Sequence, residues 1–266
     1  MASEWEELIG RLIESGKERE ALHMVNSILQ KNSTNFKALY HKANLHYSFN
    51  ELKPALKTFL KLYSLHGEGM HVEDQIIILD YIAMIYSLLN AYNKAISYYK
   101  MVISEIENNM HNVSEETLEM RVLRMYYIAE IFEMKKEYKN ALNYYQKLIQ
   151  IHTPNNNKIG LFDVYYSMGS IHLTLNKFYD AKESFLQAKQ NINMETLLLE
   201  KAYLNFKLGR TCYHLKEYSQ AEQYLKTCLK LFKKDLEECM LLDINIEDEI
   251  KQTLLLLKKI NKQQEK

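Results

Sequence analysis

Six alanines return in the same local setting along this chain. Ala21, Ala55, Ala95, Ala141, Ala181 and Ala221 stand 34, 40, 46, 40 and 40 residues apart. Around the last four the chain reads AYNKAISYY, EYKNALNYY, KFYDAKESF and EYSQAEQYL. Self-similarity at this period describes a stack of one supersecondary unit, each copy burying its apolar face on the next. The 266 residues are therefore read as one elongated array. Only 7 Gly and 2 Pro occur, which favours long helices over sheets with many tight turns.

Residues 162–190 show what the unit is. Tyr165, Met168, Gly169 and His172 form one helical stripe, which Asn176 and Lys177 interrupt. A second stripe follows at Phe178, Ala181, Phe185 and Ala188. Two helices joined by a short turn are expected. Gly169 and Ala181 let the two backbones approach, while Tyr165, Phe178 and Phe185 fill the space around that contact.

This pattern resembles the tetratricopeptide repeat (TPR). Tyr165, Met168, Gly169, His172, Phe178, Ala181, Phe185 and Ala188 carry the likeness in one copy, and Leu208, Gly209, Cys212, Tyr218, Ala221, Leu225 and Cys228 in the next. Further copies run through Ile128, Ala129 and Ala141; Ile82, Ala83 and Ala95; Ala43 and Ala55; and Trp5, Leu8 and Ala21. The resemblance implies an all-α TPR solenoid of six helix-turn-helix repeats in a right-handed superhelix. Repeats are expected to start near residues 2, 36, 76, 122, 162 and 202, within an array spanning 1–243. Residues 244–260 read as one more amphipathic helix, a cap over the last apolar face, and 244–266 close the chain as cap and tail. The chain departs from the family pattern in lacking the terminal Pro. Most of its repeats also exceed the family's length of about 34 residues. The additions fall at 66–73, 107–117 and 152–158.

Composition removes several function classes. The chain balances 34 basic against 34 acidic residues, so no global field draws a nucleic-acid backbone. No apolar run approaches the roughly 18–20 residues of a membrane span. The start, MASEWEELIG, is acidic and amphipathic and does not read as a signal peptide, so a cytoplasmic protein is expected. Cys212, Cys228 and Cys239 form no CxxC pair and are read as free thiols, the first two buried. There is no HExxH, GxSxG, P-loop or dinucleotide fingerprint, so neither an enzyme nor a cofactor is expected. His66, Glu68 and His71 share one loop but read as solvated, and no metal is expected. Glu130 and Glu133, one turn apart, are too slight a pair to argue for catalysis.

The TPR resemblance also implies that the first helix of each repeat lines a concave groove. The groove residues would then include Tyr40, Asn44, Tyr47, Asp80, Met84, Tyr126, Glu130, Tyr166, Ser170, Phe206, Arg210 and Tyr213. Tyrosine suits such a face, with an apolar body and a polar tip, though some of these rings could instead pack between neighbouring repeats. Asp80, Glu130, Glu133 and Asp163 would make the middle acidic, and Lys207, Arg210 and His214 the far end basic. A bound peptide would set a cation mid-groove and a carboxylate near Arg210. Of the five residues that a chaperone-adaptor clamp requires, Asn44 alone is present; Tyr40, Tyr81, Leu123 and Tyr127 fill the other positions. Two readings remain. One is a peptide-binding module, similar to the TPR domains of Gram-positive pheromone receptors. The other is a scaffold for a folded protein, with homodimerisation through the end repeats or the cap as a further expectation.

Overall fold

The helix-turn-helix unit owes its shape to one backbone conformation, repeated. Gly16, Asn50, Asn90, Lys136, Asn176 and Lys216 all have φ between 56° and 72°. Each stands five residues before one of the six alanines. At each, the next residue's N–H reaches back five residues and the turn residue's own N–H reaches back three. Glu51 donates to the His46 carbonyl at 2.8 Å and Asn50 to that of Tyr47 at 2.9 Å, for example. This is the Schellman closure, which satisfies the last carbonyls of a helix and needs a left-handed residue. Glycine and asparagine take that conformation readily, which explains four of the six positions.

The computed structural model describes residues 4–66, 69–239 and 244–264. Glu68, the side chains of His66 and Cys239, and tail residues 265–266 lie outside the described residues, so the expectations that concern them are not addressed. Among the described residues there are thirteen helices and no strand. They are α1 (Glu4–Glu14), α2 (Glu18–Lys31), α3 (Phe36–Ser48), α4 (Leu52–His66), α5 (Val72–Leu88), α6 (Tyr92–Asn108) and α7 (Glu115–Met134). There follow α8 (Tyr138–His152), α9 (Lys158–Thr174), α10 (Phe178–Gln190), α11 (Leu198–His214), α12 (Tyr218–Cys239) and α13 (Ile244–Gln264). The fold is all-α, as expected. The long inserts lengthen helices: α5 and α7 begin at Val72 and Glu115, ahead of the expected starts near 76 and 122. Asn35 and Asn157 cap α3 and α9, accepting from the N–H groups of Ala38 and Gly160 at 2.9 Å each.

The chain resolves into two compact units, Met1–Ile131 and Phe132–Lys266. In the first, Ile9, Ala21, Val25, Ala38 and Leu45 form one core cluster, and Ile76, Leu79, Val102 and Ile106 another. In the second, Ala181, Phe185 and Ala188 pack with Leu204 and Leu208, while Ala221, Leu225, Cys228 and Phe232 pack with Ile260 of α13. All six recurring alanines are 0% exposed, which is what a helix crossing requires of them. Gly169 plays its small-residue part against a different partner from the one the sequence suggests. The Phe185 ring lies over it, and a Cβ there would come within 2.6 Å of Phe185 Cδ1. Cys212 and Cys228 are buried thiols, and burial pushes the Cys212 thiol up to about 11. Among the described residues no helix is long and apolar enough to cross a membrane, and no cluster of His, Cys, Asp or Glu could hold a metal.

Candidate functional site

In the first unit, α3 sets Tyr40, Asn44 and Tyr47 on one stripe. The tyrosines are joined into an aromatic wall. Tyr40 stacks on Phe36 and meets Phe59 edge-on, both at 6.5 Å between ring centres. Phe59 stacks on Tyr81 at 4.8 Å, and Tyr81 meets Tyr47 at 5.5 Å. Phe59 and Tyr81, which bind the wall together, are not among the expected groove residues. Their signal was their aromatic character at core positions. Asn44 sits among these rings with its Oδ1 buried and without a hydrogen-bond partner among the described residues. A buried acceptor left unmet costs about 1–3 kcal/mol.

Asp80 departs from expectation. Expected as a free groove acid, it is 6% exposed and bound through both oxygens by the Arg124 guanidinium of α7. Burial pushes its carboxyl up, and Arg124 opposes that rise. Arg124 also lies 5.1 Å over the Tyr127 ring. The pair satisfies two charges inside the unit, so Asp80 offers no free carboxylate to a ligand. Met84 and Tyr126 are half-buried, and Glu130 lies at the surface with its carboxyl raised by desolvation.

In the second unit, Tyr166 of α9 stacks on Phe162 at 6.0 Å and meets Phe185 at 5.9 Å, with Ser170 half-buried one turn on. Phe206 also differs from expectation: it is 4% exposed and belongs to the core beneath α11 and α12. It also lines a cavity of about 250 Å³ between α11 and α13. Arg210, Tyr213, His214, Gln252, Leu255, Leu256 and Lys259 complete the lining. Three of the expected groove residues, Phe206, Arg210 and Tyr213, thus come together in one place. Gln252 and Lys259 are not among the expected groove residues, because 244–260 reads from the sequence as a cap and a dimerisation surface. The lining carries Arg210, Lys259 and His214 and no carboxylate. Burial, and then Arg210, holds the His214 imidazole below its usual range.

The opposite end of α11 carries Glu200, followed by Lys201. Glu200 stands in its first turn and accepts from the Leu197 N–H at 2.8 Å. Burial, and then the Glu200 charge, push the Asp163 carboxyl on α9 up to about 6. From Glu200 to Arg210 the helix rises about 15 Å, at about 1.5 Å per residue. Asp163 and Glu200 are thus set apart from Arg210 along the length of α11.

Tetratricopeptide-repeat models match residues 162–190 and 202–240, and a further one matches 125–152. No curated protein matches the sequence significantly. Among solved structures, the C-terminal part of a TPR repeat-containing protein from Cytophaga hutchinsonii is similar. It is 13% identical with a TM-score of 0.62, over 96% of this chain and 94% of that one. The apo form of the quorum sensor NprR from B. thuringiensis is 17% identical with a TM-score of 0.57, over 95% of this chain and 68% of that one. YrrB, described as a TPR protein with an unusual peptide-binding site, is 15% identical with a TM-score of 0.51, over 78% and 91%. At these identities the likeness is one of fold. Residues 125–152, 162–190 and 202–240 of this chain are tetratricopeptide repeats, and its fold is that of solved TPR proteins.

Proposed function

We propose that this chain is a non-catalytic module that binds an extended peptide, and that α9 and α11 of the second unit provide a principal contact. The observation that carries the reading is the cavity in which Arg210, His214 and Lys259 converge without a carboxylate. A terminal or side-chain carboxylate fits it, because guanidinium and carboxylate pair through two parallel hydrogen bonds. A lysine or arginine of the same peptide would sit by Asp163 and Glu200, offsetting the desolvation and then the Glu200 repulsion that raise the Asp163 carboxyl. The span of about 15 Å corresponds to four or five extended residues at about 3.3 Å each. Tyr166 and Ser170 would flank the peptide between those anchors. A role as a signalling-peptide sensor is consistent with the fold shared with NprR, and YrrB is a second peptide-binding protein of similar fold. A folded partner, including a second copy, is favoured by a different feature: Leu254 and Leu255 of α13 are 51% and 56% exposed.

The test is a thermal-shift and titration series with heptapeptides carrying a lysine four or five residues before a free C-terminus. A ligand at a hundredfold excess over its Kd adds about 2.7 kcal/mol to stability. Arg210→Ala should weaken free-acid peptides about tenfold or more, the worth of a charged hydrogen bond, and leave C-amidated peptides unaffected. Equal affinity of wild type and Arg210→Ala for the free-acid peptides overturns the carboxylate assignment. Absence of any peptide shift, with a protein partner held through Leu254, would favour the scaffold.

A further inference from the structure

Charge is segregated in a way that the balanced total conceals. Residues 21–67 contain Lys31, Lys37, Lys42, Lys53, Lys57 and Lys61 against the single acid Glu51. The helices α3 and α4 carry no acidic residue at all. Within the first unit a cleft of about 640 Å³ opens between the end of α2, α3 and α4. Lys42, Lys53, Lys57 and Lys61 line it, together with His46, over a floor that includes Leu29, Leu39 and Pro54. No carboxylate lines it. The one acid of residues 21–67, Glu51, is engaged with His46 Nδ1 at 2.6 Å. Lys42 donates to Asn26 Oδ1 at 2.7 Å and Lys61 to the Ser33 carbonyl at 3.0 Å, both neutral acceptors that leave the positive charge unmatched. Lys53 and Lys57 are exposed and make no ion pair among the described residues.

We propose that this cleft is a docking site for an extended acidic peptide segment, separate from the Arg210 cavity. Three features select that occupant. Lys53, Lys57 and Lys61 recur every four residues along α4, so their charges repeat about every 6 Å. An extended peptide presents alternate side chains on one face every 6.6–6.8 Å or so. A Glu-x-Glu-x-Glu segment therefore keeps step with the row, while its backbone lies over Leu39 and Pro54. The lysines are strung along the cleft and do not converge, which disfavours a single phosphate. The lining has no arginine and no aromatic ring other than His46, so it lacks the stacking platform with which proteins hold single-stranded nucleic acid.

The experiment uses the full chain and a fluorescent decapeptide of alternating Glu and Ala, blocked at both ends so that no terminal carboxylate is present. Anisotropy titration at low ionic strength should show binding that weakens as salt rises. Lys53→Glu/Lys57→Glu should lose about tenfold or more in affinity, as two exposed ion pairs become repulsive. Lys53→Gln/Lys57→Gln, which only neutralises the charges, should lose less, and Arg210→Ala nothing. An unchanged melting temperature in the Gln variant keeps loss of binding distinct from loss of fold. The proposal falls if the charge-reversed variant binds the probe as wild type does, or if Arg210→Ala removes binding instead. It also falls if a ten-nucleotide oligothymidylate or inorganic phosphate displaces the peptide at equal concentration. Failure here leaves the Arg210 carboxylate site standing, since that site is read with free-acid peptides.

Discussion

At the scale of the residue, the six left-handed turns are the sharpest case of chemistry fixing geometry. Glycine occupies one and asparagine three, both suited to positive φ. Lys136 and Lys216 hold φ of 59° and 62° with an ordinary Cβ. That conformation costs a non-glycine residue about 1–2 kcal/mol. Both lysines are exposed, so their side chains offset little of the cost through packing. Lys216→Gly should therefore raise the urea midpoint, with a gain of about 1 kcal/mol after the greater freedom of glycine in the unfolded chain is deducted. The turn was visible in the sequence only as an interruption, Asn176–Lys177 in one copy. Its recurrence five residues before each alanine was equally present there. Lysine at two of the six positions masked it, because lysine is not a residue from which positive φ is read.

At the scale of the element, two helix glycines that look alike in sequence should respond oppositely to the same change. Gly10 in α1 has open space where a Cβ would go. Gly10→Ala should stabilise by roughly 0.5–1 kcal/mol through helix propensity alone. Gly169 in α9 lies under the fully buried Phe185 ring, and its Cβ would stand 2.6 Å from that ring. Overpacking of that kind costs about 1–3 kcal/mol, so Gly169→Ala should be a net loss despite the better helix former. Equilibrium urea unfolding of both variants beside wild type checks the pair, and equal shifts would refute the account of the α9–α10 crossing. The sequence showed that the crossing needs a small residue at position 169. It could not show the facing residue, because helical periodicity assigns a stripe and leaves the rotation between two stripes free.

At the scale of the whole molecule, the array was legible because its signal repeats, and the sites were not because theirs does not. Six copies placed Ala21 through Ala221 at crossings, and all are buried. A face position read by family analogy carries no such redundancy. Asp80 stands where a groove acid is expected, yet Arg124, 44 residues away, makes it a core ion pair. Asp163 is the contrasting acid: desolvation and then the Glu200 charge raise its carboxyl to about 6. That difference gives a pH signature. A carboxyl whose folded pKa lies above its unfolded value binds protons more tightly in the native state, so it destabilises at neutral pH. That penalty is relieved as pH falls from about 6 to about 3.9. His41 and His152 act in the opposite sense. Burial lowers both below the usual imidazole value, so their contribution is present above about 6.5 and lost as pH falls through their folded values. Asp163→Asn isolates the first effect. It should stabilise the chain at pH 7, and the gain should shrink on acidification to a small remainder near pH 4, where the wild-type carboxyl is protonated in the folded state and about half protonated in the unfolded one. Urea midpoints of wild type and Asp163→Asn between pH 4 and pH 8 measure this directly. A difference that stays constant with pH would mean that the Asp163 charge is not the cause. A bound peptide with a lysine over Asp163 should abolish the gain at pH 7, because the carboxylate is then the form the complex prefers.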